Sequence, residues 1–155
     1  MNHPLGTSRT IVKERYALFS PDGFVPSTLP GWSGCRPNVL ISPALGADFV
    51  QLNVAFEKGA RASGETEHDE MFVYVVAGKC SAVIANKKHS LGVGGYAFVP
   101  PETAYEFASQ QKGTRLLVFQ KYREPIDGHD APGPLIGTSS EIKGAPFLGN
   151  PRALL

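Results

Sequence analysis

Residues 64–78 read Gly-Glu-Thr-Glu-His-Asp-Glu-Met-Phe-Val-Tyr-Val-Val-Ala-Gly, and residues 94–107 read Gly-Gly-Tyr-Ala-Phe-Val-Pro-Pro-Glu-Thr-Ala-Tyr-Glu-Phe. Each stretch sets a short apolar run between turn-forming residues. Met71 to Ala77 is nearly continuous in apolar side chains and is closed by Gly78-Lys79, which predicts a strand buried on both faces. Gly94-Gly95 permits a tight or left-handed turn into the next run. Pro100-Pro101 fixes the chain as it leaves that run, where no ladder donor is needed.

Outward from these stretches, helical periodicity is nearly absent and alternation takes its place. Tyr16 to Ser20 is a strand candidate ended by Pro21-Asp22-Gly23, and Asn38 to Ser42 is another. Ala47 to Glu57 alternates most clearly, with Val50, Leu52, Val54 and Phe56 on one face and Gln51 and Asn53 on the other. Cys80 to Ala85 follows at hairpin distance, and an Asn86-Lys87-Lys88 turn leads to His89-Ser90-Leu91. Tyr96 to Val99, Ala104 to Ala108 and Thr114 to Tyr122 complete the series. About eight or nine short strands at close spacing predict an all-β sandwich or jelly-roll barrel. The expected organisation is an N-terminal arm over 1–14, a barrel over 15–123 and an extended arm or linker over 124–155. That last stretch is rich in Pro and Gly. Its Ile142, Phe147, Leu148, Leu154 and Leu155 are apolar enough to dock on something, and the chain is expected to continue past them in a longer form.

The totals exclude several classes. The chain has 155 residues, which suits one domain with tails and a sizeable core. A net charge of +1, without a basic cluster interleaved with aromatics, argues against nucleic acid and anionic membranes as partners. Cys35 and Cys80 lie far apart, with neither metal-type spacing nor a disulfide framework. No apolar run reaches the length of a membrane span, and Met1 to Thr10 lacks the apolar core of a secretory signal. A soluble protein, cytoplasmic by default, is the expectation.

The two opening stretches resemble the two conserved motifs of a cupin barrel. A metal-binding cupin carries His-x-His and a Glu in the first motif and a His in the second. The corresponding positions here are Glu65, Glu67 and Met71, then Tyr105. A single cupin-type jelly-roll β-barrel with an extended C-terminal arm is therefore expected, without a three-histidine site. Further segments carry the resemblance to one family. These are Tyr16-Ala-Leu-Phe-Ser-Pro-Asp-Gly23, Leu29-Pro-Gly-Trp32, Ile41-Ser-Pro-Ala-Leu-Gly-Ala-Asp-Phe-Val50 and Leu116-Leu-Val-Phe-Gln-Lys-Tyr-Arg123. With the two motifs they are similar, in order, to the N-terminal half of the (S)-ureidoglycine aminohydrolases, two-cupin enzymes of allantoin breakdown. The resemblance implies release of ammonia from (S)-ureidoglycine to give (S)-ureidoglycolate. It also implies a manganese ion held by Glu, two His and Gln in the second cupin, so none of those ligands falls on a residue of this chain. A homo-oligomer, and a C-terminal cupin chain as partner, are what the resemblance suggests for assembly.

Glu65, Glu67 and His68 form the one cluster with ligand character. On an extended segment the two carboxylates would point to one side and His68 to the other. Two carboxylates suit a hard cation weakly, and an exposed acidic turn is the competing reading. Met71 offers a thioether, a poor ligand for manganese or zinc. Tyr105 either binds a substrate at the barrel mouth or fills the barrel with its ring. His89 and His129 lack a second ligand at metal spacing, and Cys35 has no partner that would make it a nucleophile. Three functions stay open: a half-length ureidoglycine aminohydrolase that is inactive alone, a non-catalytic binding or assembly module, and a small metal-dependent enzyme using Glu65, Glu67 and His68.

Overall fold

The computed structural model describes residues 11–13, 15–20, 23–24, 27–147 and 150–154. The calls on Pro21-Asp22, Leu148 and Leu155 lie outside them, and the side chains of Phe147 and Leu154 are not described. The strands are β1 (Ile11–Lys13), β2 (Tyr16–Leu18), β3 (Trp32–Ile41), β4 (Val50–Glu65), β5 (Asp69–Ala77), β6 (Cys80–Ile84) and β7 (Lys87–Leu91). They continue as β8 (Gly95–Val99), β9 (Ala104–Ser109), β10 (Thr114–Tyr122), β11 (Leu135–Thr138), β12 (Pro146–Phe147) and β13 (Asn150–Leu154). Short 3-10 turns at Pro43–Leu45 and Ser139–Glu141 lie between strands. The fold is all-β: a nearly closed barrel, with no α-helix among the described residues.

Nine strands share one hydrogen-bonded sheet in the order β11-β8-β5-β10-β4-β9-β6-β7, with β3 on β4. The curvature comes from β4, which runs for 16 residues. Its first part, Val50 to Phe56, pairs with β10, and its second, Ala60 to Glu65, pairs with β9. Between them Lys58 is exposed and Gly59 takes a φ of 79°, where the strand turns the corner. The alternation that ended the expected strand at Glu57 therefore resumes past the corner on smaller side chains, Ala60 and Ala62, both buried.

One face of every barrel strand supplies the core. Leu52, Val54 and Phe56 from β4 meet Met71, Val73 and Val75 from β5, Ile84 from β6, Phe107 from β9 and Leu116 and Val118 from β10. Full burial of side chains of this size stabilises by about 1.5–3 kcal/mol each. The outward face of β5 departs from expectation. Phe72 and Tyr74 are half-buried and Val76 is exposed, so β5 is buried on one face only. Its apolar outward residues stack instead on neighbours, Phe72 on Tyr96 at 5.9 Å and on Phe119 at 6.5 Å between ring centroids.

Three other boundaries differ for local reasons. β3 begins at Trp32 rather than Asn38, since Gly34 and Pro37 hide the strand in sequence. Pro37 is tolerated because, among the described residues, β3 pairs with no strand but β4, so no ladder donor is needed on its other side. The β6–β7 turn is Ala85-Asn86, both at positive φ, which leaves Lys87 and Lys88 in the strand. The C-terminal arm is exposed over 124–134, yet Leu135 to Thr138 adds to the barrel sheet on β8.

Gly95 opens β8 with almost no space about it: a Cβ there would stand 2.9 Å from the carbonyl oxygen of Gly92 and 3.2 Å from the Leu91 Cβ. Gly95→Val is expected to lower stability by about 2–4 kcal/mol through overpacking. A urea melt followed by tryptophan fluorescence checks it, and a midpoint equal to that of the unaltered chain refutes it.

Candidate functional site

The mouth of the barrel lies where the end of β4, the turn after it, the start of β5 and the start of β9 come together. Gly64 pairs with Tyr105 across β4 and β9, and Glu65 pairs with Ala104. Gly64 has no side chain to compete with the tyrosine, since a Cβ there would lie 3.0 Å from the Tyr105 hydroxyl. The Tyr105 ring turns inward and is 8% exposed. Trp32 Nε1–H donates to its hydroxyl at 3.3 Å, and the Phe107 ring lies 6.0 Å away. Burial pushes the Tyr105 hydroxyl pKa upward, partly offset by the Trp32 hydrogen bond. Met71 is fully buried below. Tyr105 and Phe107 from β9 and Met71 from β5 belong to one buried cluster, and Trp32 at the head of β3 packs against it.

The turn beside this plug is stitched to the facing loop by Thr66, a residue whose role sequence reasoning missed. Its hydroxyl donates to the Pro100 carbonyl at 2.7 Å and accepts the Thr103 N–H at 3.0 Å, all in a buried setting. The Thr66 N–H donates to the Thr103 carbonyl at 3.2 Å, and the Glu102 N–H donates to the Glu67 carbonyl at 2.6 Å. The only sequence signal was a threonine inside an acidic stretch, with a second threonine after Pro100-Pro101. Arg123 fastens the same turn, its N–H on the His68 carbonyl at 3.1 Å and its guanidinium on Glu70 at 3.0 Å.

Glu65, Glu67 and His68 all lie exposed at this turn. The segment is not extended as the alternation assumed. Thr66 is buried and Glu67 adopts a φ of 49°, so the chain folds back before His68. Among the described residues no group of three or more His, Cys, Asp or Glu side chains could hold a metal ion. At the two remaining cupin ligand positions, a buried thioether and a buried, hydrogen-bonded phenol do not fit a manganese ion. Cys35 is half-buried and Cys80 buried, and burial pushes both thiols from the ordinary 9.0 up to about 11.

A nearly closed jelly-roll with this two-loop mouth makes the chain a cupin domain. The cupin domain of Cnp3 from Schizosaccharomyces pombe shares the fold at a TM-score of 0.57 and 14% identity, over 75% of this chain and 86% of that one. Closer similarity narrows the class. The chain is 32% identical to the (S)-ureidoglycine aminohydrolase of Escherichia coli K12 over 146 residues, covering 92% of this chain and 56% of that protein. The crystal structure of the protein Ylba from E. coli superposes at a TM-score of 0.81 with 30% identity, over 89% of this chain and 58% of that one. The chain spans about half the length of the curated relatives it matches. It is a cupin domain homologous to half of the (S)-ureidoglycine aminohydrolases. No protein-family model matches it.

Two outcomes follow from this geometry. Thr66→Ala leaves the Thr103 N–H buried without its partner and is expected to cost about 1–3 kcal/mol, while Thr66→Ser retains most of the stability. Thermal melts of both variants decide it, and equal losses in the two would refute it. The thiol shifts predict that stability is fully present below about pH 9 and falls as pH rises toward about 11. The unfolded chain releases these protons first, so alkali favours unfolding. Denaturation at pH 8 and pH 10.5, compared with Cys80→Ala and Cys35→Ala variants, checks that slope.

Proposed function

We propose that this domain is the N-terminal, non-catalytic cupin of an (S)-ureidoglycine aminohydrolase, serving as scaffold and subunit contact in a homo-oligomer. The manganese chemistry belongs, on this reading, to a second cupin of the same two-cupin protein or of a partner chain. One observation carries the proposal: two of the four positions where a cupin would place ligands are occupied by Met71 and Tyr105, both buried in the core cluster, with Tyr105 held by Trp32. Tyr105 then acts as filling held by Trp32 rather than as a substrate-binding group. The similarity to half of the curated aminohydrolases supports the choice of family.

A second reading rests on the exposure of Glu65, Glu67 and His68 at one turn, which would let a hard cation bind at the surface. The purified chain, dialysed against manganese buffer, separates the two. The scaffold reading expects no retained manganese, and ammonia release from (S)-ureidoglycine equal to that of the no-protein control. Near-stoichiometric manganese that is lost in the Glu65→Ala, Glu67→Ala double variant, or ammonia release above the control, would overturn it.

A further inference from the structure

At the opposite end of β4 from the barrel mouth, Ile41 of β3 pairs with Gln51. There the β1–β2 hairpin and the chain from Ile41 to Phe49 enclose a cleft of about 200 Å³. Its two sides differ in chemistry. Ile41, Leu45, Ala47 and Phe49 are half-buried and give it an apolar floor. The floor is shaped by the turn at Pro43–Leu45, closed where the Gly46 N–H donates to the Pro43 carbonyl at 2.9 Å. Phe119 braces Phe49, with ring centroids 6.3 Å apart. A Cβ on Gly46 would meet nothing within 4 Å, so the cleft is open there.

The hairpin sets Lys13, Arg15 and Tyr16 along the rim, all exposed. No acidic residue lines the cleft among the described residues. Asp48, the acid on the floor segment, is committed elsewhere. It pairs with Lys121 Nζ at 3.0 Å, which holds its carboxyl below the usual carboxylate range. Among the described residues neither Lys13 nor Arg15 has an ion-pair partner. An inorganic anion would answer the two cations and leave the floor unfilled. A neutral apolar molecule would do the reverse. A carboxylate that carries its own apolar body answers both, because a cation takes its charge in strong hydrogen bonds and the floor takes its body. The volume is below the roughly 300–1,000 Å³ of sites for drug-sized ligands, which limits that body to about one ring.

We infer that this cleft binds a small monocarboxylate with a one-ring apolar body, its carboxylate held by Lys13 and Arg15 and its body laid on Leu45, Ala47 and Phe49. The inference is independent of the scaffold reading, since no residue of the barrel mouth takes part in it.

Titration of the full, isotope-labelled chain with phenylacetate, followed by amide NMR shifts, tests it. Saturating shifts over residues 45–49 are expected. Acetate has the charge without the ring, and phenylacetamide has the ring without the charge. Each is expected to bind about tenfold more weakly or worse. A Lys13→Gln, Arg15→Gln double variant should weaken phenylacetate by a similar factor, while Lys87→Gln on β7 should leave it unchanged. The spectrum of each variant reports its fold directly, and the comparison of the three ligands needs no variant. Absence of saturating shifts over 45–49 overturns the inference. So does acetate or phenylacetamide binding as tightly as phenylacetate, or phenylacetate binding indifferent to the folded double variant.

Discussion

Everything in this barrel depends on one strand belonging to two walls. β4 gives its first part to β10 and its second to β9, so the sheet can close only if the chain bends between Phe56 and Ala60. Gly59 supplies the left-handed backbone at the bend, and the small side chains of Ala60 and Ala62 let the second wall approach the first. A straight β4 would leave Leu52, Val54 and Phe56 facing solvent on an open sheet. Closure also brings the turn after β4 against the loop before β9, where Thr66 ties the two.

The same closure explains how a cupin frame can persist without histidines at the ligand positions. Stability asks of the mouth only that its buried space be filled and its buried polar atoms be paired. Tyr105 and Trp32 meet both demands with one hydrogen bond and two rings. Catalysis by a metal asks for something different, several donors converging with open coordination sites. A sequence released from the second demand keeps meeting the first.

Much of the fold was legible because alternation is a local signal. The inward face of the first part of β4, with Leu52, Val54 and Phe56, could be read from spacing alone, and the span expected for β10, Thr114 to Tyr122, is the span observed. The second part of β4 and the start of β3 were not legible, because Gly, Pro and Ala fill positions where a larger apolar residue would have marked the strand. β11 was hidden for a different reason. Its partner, β8, lies far back in the chain, and nothing in Leu-Ile-Gly-Thr distinguishes a docked strand from a linker.

The candidate site divides in the same way. By itself the sequence determined that histidines are absent from the cupin ligand positions, since that is a matter of residue identity and spacing. Only the tertiary structure decided what occupies the space instead. Trp32 and Tyr105 stand far apart in the chain, as do Thr66 and Thr103, and no local pattern links either pair. Their contacts exist because closure of the barrel spends apolar burial to bring distant backbone together, and the side chains then pair with whatever closure sets beside them.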